Sequence, residues 1–286
     1  MRRQFNSALR HQDYMTNFVK IAWFGKHFGE EPPLIGNNNE GAGGIFFTGC
    51  NLRCVFCQNY QISQENLGQK YNIEELANIM LNLQYQHAVN IDLVSPTIWY
   101  KQIKEAIIIA KSNGLNIPVV WNSNGYEDLN IIEEMNSLVD IYLPDFKYTD
   151  DFLAERYSKI KDYKAKAMIA IKEMYKQVGN LKIDNNTAKK GIIVRHLIIP
   201  NNVNNSIGVL EEIAKIDKNI YISLMSQYMP IYKAKDYYEI NRKLYKSEFD
   251  KVYNYQLELG LYNGWYQELN SSEIFIPDFN RENPFI

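Results

Sequence analysis

Short apolar runs that alternate with longer amphipathic stretches set the fold class of this chain. The runs lie at 44–49, 90–95, 117–122, 139–144, 191–200 and 220–226. Stretches with the helical spacing of apolar residues follow them, at 73–86, 99–113, 127–136, 164–178, 206–216 and 236–259. Strands that are apolar on both faces are typical of a parallel sheet covered by helices. We therefore predict an α/β fold of about six βα units, and periodicity leaves open a doubly wound sheet or an incomplete barrel.

Local signals mark the ends of some of these elements. Asn72 with Glu75 three residues later is close to a capping box, and Gly114 is a C-cap for the second helix. The polar stretch 180–190 is predicted to be a surface loop. We divide the chain into an N-terminal segment (1–43), a core domain (44–260) and a C-terminal tail (261–286) that packs on the core.

All three cysteines of the chain lie in one short loop. Cys50, Cys54 and Cys57 follow the first apolar run directly, with the spacing C-x3-C-x2-C. An odd number of cysteines does not fit a disulfide framework, and a chain of 286 residues does not need one. Loops at the carboxyl ends of parallel strands are where such folds build their binding sites. The grouping therefore indicates a metal ion or a metal cluster.

Two kinds of metal centre use grouped thiolates. A structural zinc site needs a closed shell of four ligands. The chain has no fourth cysteine, and His27 and His87 lie at no recognised spacing from the other three. Three thiolates suit a [4Fe–4S] cluster with one iron left without a protein ligand, although such clusters more often have four cysteines. The cluster is the favoured hypothesis, and zinc is the alternative.

Charge and hydropathy argue against two classes of partner. The formal net charge is −2, and no block is rich in lysine or arginine. Nothing therefore indicates binding to nucleic acid or to an anionic membrane surface. The first residues lack the continuous apolar stretch of a signal peptide, and no apolar run is long enough to span a bilayer. We expect a cytoplasmic protein.

With this cysteine loop after the first strand of a βα series, the sequence resembles the radical S-adenosylmethionine (radical SAM) enzymes. Within them it is similar to the pyruvate formate-lyase-activating-enzyme-like proteins. The segments that carry the resemblance are KHFGEEPPLIG, GIFFTGCNLRCVFCQNYQISQ, VSPTIWY, VVWNSNGYE, IYLPDFKY, EMYKQVG and IIVRHLIIPNN. The resemblance extends from about Lys26 to about Pro230, which is most of the chain.

The resemblance implies a partial (β/α)6 barrel, similar to a TIM barrel, with a [4Fe–4S] cluster at its open top. S-adenosylmethionine (SAM) would bind the open iron through its methionyl amine and carboxylate. One electron from the cluster would break the S–C5′ bond, giving methionine and a 5′-deoxyadenosyl radical that takes a hydrogen atom from the substrate. Because the cluster and SAM carry this chemistry, no further catalytic side chain is predicted. The implied reductant is flavodoxin or ferredoxin.

The resemblance also indicates which uncharged side chains contact SAM. Phe56, directly before the last cysteine, stands where the family has an aromatic residue near the adenine. Many members carry Gly-Gly-Glu after the second strand. This sequence has a Ser-Pro-Thr turn there, so the backbone and the Ser95 or Thr97 hydroxyl would have to bind the methionyl amine. Asn122 and Ser123 fall where activating enzymes place polar groups near the ribose and carboxylate.

Three charged residues complete the predicted SAM site. Asp145 and Lys147 are two residues apart at a strand end, so an extended backbone points both to one face. Lysine suits the methionyl carboxylate as a point charge, and Asp145 can hold it in place; an exposed ion pair is the alternative. Arg195 lies inside an apolar strand, where a charge needs a partner or a cavity. Its neighbour His196 faces the opposite way and is interpreted as a core residue.

Two further pairs of residues are candidates for a site. Glu30 and Glu31 precede two prolines, and we interpret them as part of a structural segment rather than as a carboxylate pair for acid–base chemistry. Gln227 or Tyr228, after the last predicted strand, is a candidate for the substrate end of the site.

Three hypotheses for function follow. The first is a radical SAM enzyme that takes a hydrogen atom from a glycine of a glycyl radical enzyme. The second is a radical SAM enzyme acting on a small molecule or on another protein. The third is a non-catalytic iron–sulfur or zinc protein, which would not need a large barrel. The chain alone does not decide between the first two, because loops without a motif form the substrate end.

Overall fold

The structure is a computed structural model and describes residues 17–37, 40–267 and 276–285. In these ranges ten strands are found: β1 (Phe18–His27), β2 (Ala42–Phe47), β3 (Gln69–Asn72), β4 (Ile91–Val94), β5 (Val119–Ser123), β6 (Ile141–Pro144), β7 (Lys182–Asp184), β8 (Thr187–Leu197), β9 (Tyr221–Met225) and β10 (Gly264–Tyr266). The α-helices of the same ranges are α1 (Pro32–Ile35), α2 (Tyr60–Ser63), α3 (Ile73–Tyr85), α4 (Tyr100–Ser112), α5 (Leu129–Glu134), α6 (Asp151–Ser158), α7 (Tyr163–Val178), α8 (Val203–Ala214) and α9 (Lys246–Glu258).

The strands form one mostly parallel sheet. Its order is β10-β9-β8-β6-β5-β4-β2-β1-β3, and β7 pairs with β8 outside this path. The pairs from β2 to β10 are parallel, whereas β1 is antiparallel to β2 and β3, and β7 is antiparallel to β8. β3 and β10 lie at opposite ends of the order, so the sheet is not closed into a barrel. The predicted α/β fold with an incomplete barrel is confirmed.

Both faces of the sheet are covered, which explains why most residues of its central strands are apolar. One face packs against the long helices and contributes Trp121, Tyr142, Ile192 and Val194 to the main core. The alternate residues pack around Leu34 of the short helix α1, and they are Val120, Ile141, Leu143 and Ile193. Because side chains alternate along a strand, Asp92, Asn122, Asp145 and Arg195 share this second face. The helix α1 therefore covers this second face of the sheet.

Several local predictions are confirmed. Asn72 and Glu75 form a capping box at the start of α3, in which each side chain accepts a hydrogen bond from the other's backbone N–H. Gly114 follows α4 with φ of +101°, the left-handed conformation that favours glycine at a helix end. None of the helices in the described part of the chain is both long and apolar enough to cross a membrane.

The prediction of a loop over 180–190 is wrong. β7 and the start of β8 form a hairpin there, and its turn residues Asn185 and Asn186 both have positive φ, 47° and 63°. Two successive left-handed residues make the tight turn that suits the twist of a hairpin. The predicted N-terminal segment contains β1, which joins the sheet. The domain limits themselves remain a prediction.

Candidate functional site

The cysteine loop leaves the carboxyl end of β2 and is held by two distant segments. The N–H of Arg53 donates to the carbonyl of Ser158 (3.0 Å), and the N–H of Val55 donates to that of Tyr157 (2.8 Å). The N–H of Lys233 donates to the carbonyl of Val55 (2.9 Å). Gly49 opens the loop with φ of +95°, and a Cβ there would lie 2.5 Å from Ile98 Cδ1. The backbone that carries the thiols is thus fixed on both sides.

Each thiol has a polar neighbour inside the protein. Cys54 Sγ lies 3.0 Å from the hydroxyl of Ser158, and Cys57 Sγ lies 3.2 Å from that of Ser63. Cys50 Sγ accepts a hydrogen bond from the amide nitrogen of Asn124 (3.3 Å). Burial raises the pKa of Cys54 to about 11 and that of Cys57 to about 12, and it also raises the pKa of Cys50. Burial thus opposes ionisation of these thiols, and a positively charged centre beside them would favour it.

The three cysteines line one cavity of about 240 Å³. The cavity extends along the second face of the sheet, at the carboxyl ends of its parallel strands. The other residues that line it are His27, Gly29, Glu30, Phe46, Phe56, Gln58, Asn59, Ser63, Val94, Ser95, Asn122, Ser123, Asn124, Asp145, Lys147, Arg195, Leu197, Met225, Gln227, Pro277 and Phe285.

A network of charged side chains lines this cavity. The guanidinium of Arg195 donates to Asp145 Oδ1 (3.1 Å), to Glu30 Oε2 (3.0 Å) and to the amide oxygen of Asn122. Lys147 donates to the other oxygen of Asp145. Burial alone would raise the pKa of Asp145, but the charges of Lys147 and Arg195 outweigh it and hold that pKa below its ordinary value. Asp145 is thus an anion that positions two cations.

Three buried carboxyl groups, those of Glu30, Glu31 and Asp92, lie close enough to Arg195 to interact with its charge. Burial raises the pKa values of Glu30, Glu31 and Asp92, and the nearby charge of Arg195 only partly opposes this rise. Glu31 Oε2 and Asp92 Oδ1 are buried without a hydrogen-bond partner. Because an unpaired buried charge is costly, these three carboxyl groups are suited to binding protons.

Seven of the eight predicted SAM contacts line the cavity together with the cysteines: Phe56, Ser95, Asn122, Ser123, Asp145, Lys147 and Arg195. Thr97 differs, since its hydroxyl donates to buried Glu127 (2.9 Å). Gln227 lines the cavity, whereas the hydroxyl of the buried Tyr228 donates to the carbonyl of Ile240 (2.9 Å).

His196 lies in the core, as expected. It is fully buried, and its ring nitrogens lie 2.7 Å from the carbonyl oxygen of Phe146 and 2.8 Å from the hydroxyl of Ser206.

Sequence reasoning missed three residues of the cavity wall. Glu30 was assigned to a structural segment, yet it pairs with Arg195, and its side chain is only 7% exposed. His27 lies at the end of β1, and Phe285 comes from the C-terminal part of the chain. The sequence signal that could have placed Glu30 in the site was the pair of adjacent acids, Glu30 and Glu31, directly before two prolines. Phe285 gave no comparable signal.

Glu127 positions the turn that follows β4. Its side chain is 1% exposed, and one oxygen accepts hydrogen bonds from Thr97 Oγ1 (2.9 Å) and Trp121 Nε1 (3.0 Å). Burial raises its pKa from an ordinary 4.5 to about 7. A carboxyl group whose pKa is raised by folding stabilises the folded state when the pH is below the pKa that the group has in the unfolded chain. This stabilisation is lost as the pH rises through the pKa that the group has in the folded state.

We therefore expect Glu127→Gln to flatten the dependence of stability on pH. Its amide oxygen can keep both hydrogen bonds, and it has no proton to lose. The pKa of Glu127 rises from 4.5 to about 7 on folding. The wild-type protein should therefore lose about 3 kcal/mol of its unfolding free energy as the pH is raised from about 4.5 to about 7. Urea denaturation across this range measures the difference. An identical pH dependence in the variant and the wild type would contradict the account.

The donor set fits an iron–sulfur cluster better than a single ion. In the described ranges, no group of three or more His, Cys, Asp or Glu side chains is arranged to hold one metal ion. Cysteines that bind a cluster attach to different irons, so their sulfur atoms need not meet at one point. The three thiols share a cavity and have hydroxyl and amide donors beside them, and such groups can hydrogen-bond to cluster sulfur ligands.

Comparisons with known proteins agree with this chemistry. The model of the radical SAM superfamily matches residues 45–187. An uncharacterized protein of Methanocaldococcus jannaschii, MJ0674, is 34% identical over 248 residues, which are 84% of this chain and 65% of the relative. A putative glycyl-radical enzyme activating enzyme of the same organism, MJ1227, is 27% identical over 192 residues, which are 65% of this chain and 72% of that protein.

Solved structures share the fold at low sequence identity. SuiB of Streptococcus suis superposes with a TM-score of 0.56 at 13% identity, covering 79% of this chain and 49% of SuiB. SuiB bound to S-adenosylmethionine gives a TM-score of 0.54, also at 13% identity, covering 79% of this chain and 48% of SuiB. The chain thus spans less than two thirds of MJ0674 and about half of SuiB.

Proposed function

This chain belongs to the radical SAM superfamily, and on that premise we propose that it is an enzyme whose [4Fe–4S] cluster is held by Cys50, Cys54 and Cys57. When bound, the cluster and SAM supply one electron and a cleavable S–C5′ bond, which yield methionine and a 5′-deoxyadenosyl radical that takes hydrogen from the substrate. The observation that carries the proposal is the cavity that the three thiols share with the Asp145–Lys147–Arg195 network. Formation of 5′-deoxyadenosine by the anaerobically reconstituted protein tests it.

In this proposal the chain orients the cluster through the neighbours of its thiols. The hydroxyls of Ser63 and Ser158 and the amide of Asn124 lie within hydrogen-bonding reach of the three sulfur atoms. Such donors stabilise the thiolate form and fix the direction of each ligand. The buried, apolar surroundings of Phe56 and Val55 keep water away from the same loop.

SAM would be held by the polar groups at the strand ends. Lys147 and Arg195 give the cavity fixed positive charge, which suits a carboxylate, and Asp145 keeps both cations in place. Ser95, Asn122 and Ser123 offer hydroxyl and amide groups nearby, and the ring of Phe56 offers an apolar face for adenine. The positions of Ser95 and Asn122 are linked, since the N–H of Ser95 donates to the carbonyl of Asn122 (2.9 Å).

Lys147→Ala is expected to weaken SAM binding without loss of the cluster. A charge-assisted hydrogen bond contributes about 1.5–3 kcal/mol, so the Kd for SAM should rise about tenfold to a hundredfold. Equilibrium binding of SAM to the reconstituted variant measures this. Lys104→Ala is the matched control, because Lys104 pairs with Glu134 at the surface (3.1 Å). An unchanged Kd in Lys147→Ala would remove Lys147 from the SAM site.

For the substrate, the more specific form of the proposal is a glycine of a glycyl radical enzyme. Support comes from MJ1227, a putative glycyl-radical enzyme activating enzyme that aligns with 65% of this chain. The proposed electron donor is flavodoxin or ferredoxin. If a glycyl radical enzyme is encoded beside this gene, incubating the two proteins with SAM and a reductant should produce the EPR doublet of a glycyl radical. Deoxyadenosine formation without that doublet would point to another substrate.

A further inference from the structure

The segment Ile276–Phe285, called here the C-terminal segment, forms part of the wall of the cavity. Pro277 and Phe285 line the same cavity as the three cysteines. The segment folds back on itself, since the N–H of Asp278 donates to the carbonyl of Pro284 (2.9 Å). It therefore presents a compact turn to the site rather than an extended strand of the sheet.

One polar side chain ties this turn to the cysteine loop. Gln61 lies in α2, four residues after Cys57. Its amide nitrogen donates to Asp278 Oδ1 (3.1 Å), and its amide oxygen accepts from the N–H of Phe279 (2.8 Å). Gln61 thus uses both ends of its amide to hold the C-terminal segment beside the helix that follows the thiols.

Aromatic contacts hold the other side of the turn. The ring centroid of Phe285 lies 4.2 Å from that of His27, 5.0 Å from that of Trp23 and 5.2 Å from that of Phe46. Phe279, 6% exposed, packs on Phe46 with centroids 5.7 Å apart. β1, β2 and the C-terminal segment therefore share one aromatic wall.

The size of the cavity makes this wall important for access. At about 240 Å³, the cavity is smaller than the range of about 300–1,000 Å³ that is common for small-molecule sites. It would already have to hold a cluster and SAM. A substrate that approaches the same centre therefore needs either a further opening or the displacement of a wall. The C-terminal segment is held to this wall by side-chain contacts and by the hydrogen bonds of Gln61 rather than by strand pairing, so it can move without unpairing the sheet.

We propose that the C-terminal segment is the movable wall through which solvent and substrate reach the cavity, and that Phe285 and Gln61 control this access. Phe285 closes the opening with its ring, and Gln61 holds the turn in the closed position. Phe285 then also limits the size of the group that can approach the reacting centre. The part about substrate rests on the proposed function, whereas control of access to the thiols does not.

The test uses the reaction of the apoprotein with Ellman's reagent, a soluble aromatic disulfide. All three cysteines of the chain line this cavity, so the release of its coloured thiolate reports on this site alone. Phe285→Ala is expected to react about tenfold faster than wild type, if the ring contributes about 1.4 kcal/mol to the closed state. Gln61→Ala should react faster by a smaller factor. Tyr85→Ala, which alters a residue 82% exposed on α3, is the control and should react at the wild-type rate.

Circular dichroism shows whether each variant is folded. Gln61→Ala keeps the aromatic contacts, so it provides the test if Phe285→Ala unfolds. Wild-type reaction rates in the folded variants would overturn the proposal. A second readout is the loss of the cluster's visible absorbance in air, which should be faster in Phe285→Ala than in Tyr85→Ala. Because thiol reaction needs neither cluster nor SAM, this inference can fail while deoxyadenosine is still formed, and the reverse also holds.

Discussion

Replacing any one of Cys50, Cys54 or Cys57 by alanine is expected to abolish assembly of the cluster and cleavage of SAM. The chain has three cysteines in total, so no other thiol can replace the missing ligand. The two remaining thiols would then have to hold the cluster without the third. Iron and sulfide content after anaerobic reconstitution, together with 5′-deoxyadenosine formation, measure the two losses.

Ser63→Ala is the matched control for this result. It removes the hydroxyl 3.2 Å from Cys57 Sγ but leaves all three thiols. Because loss of such a neighbour weakens metal affinity without removing a ligand, this variant should still assemble a cluster. SAM cleavage at the wild-type rate by a single Cys→Ala variant would show that the altered cysteine is not a ligand.

Arg195→Ala is expected to destabilise the folded chain strongly, even without any cofactor. The guanidinium is 17% exposed and pairs with Glu30 and Asp145, whose side chains are 7% and 16% exposed. Removing one partner of a buried ion pair leaves uncompensated charge and costs about 3–5 kcal/mol. Urea denaturation of the apoprotein at neutral pH measures this loss.

The loss should shrink as the pH is lowered. Burial already raises the pKa of Glu30, and the charge of Arg195 opposes that rise. Without Arg195 the carboxyl groups bind protons more readily in the folded state, and protonation removes the uncompensated charge. Arg195→Lys should lose less, because it keeps the charge but not the forked donors. Arg156→Ala, which breaks a surface pair with Glu239, is the control and should change stability little. Equal losses in Arg195→Ala and Arg156→Ala would show that the buried network does not stabilise the fold.

The alternation of apolar runs and amphipathic stretches was sufficient to predict the six strands from β2 to β9 that pair in parallel and the six helices α3, α4, α5, α7, α8 and α9. The helix predicted over 236–259 is wrong in its first ten residues, because α9 begins at Lys246. Strands such as β4 and β5 are buried on both faces, so apolar residues dominate their sequences, and their polar residues are Asp92, Asn122 and Ser123. The hairpin of β7 and β8 was missed because its residues are polar and partly exposed, and pairing across the Asn185–Asn186 turn decides its structure. β1 was not predicted, because most of its residues are only partly buried and it lacks a continuous apolar run.

The site was predictable where neighbouring strands end together. Asn122, Asp145 and Arg195 follow the same alternation on adjacent strands, so their proximity follows from parallel pairing. Glu30 meets Arg195 across 165 positions of sequence, and Phe285 meets His27 from the other end of the chain. Contacts of this kind depend on how the end segments fold back over the sheet, which no local pattern in this sequence encodes.

The most direct test of the radical SAM proposal is anaerobic reconstitution with iron and sulfide, followed by reduction and EPR with and without SAM. The account predicts a [4Fe–4S]⁺ signal that changes when SAM is added, and 5′-deoxyadenosine in the quenched mixture. A protein that binds zinc, gives no such signal and forms no deoxyadenosine would contradict it, and the three cysteines would then be ligands of a structural site.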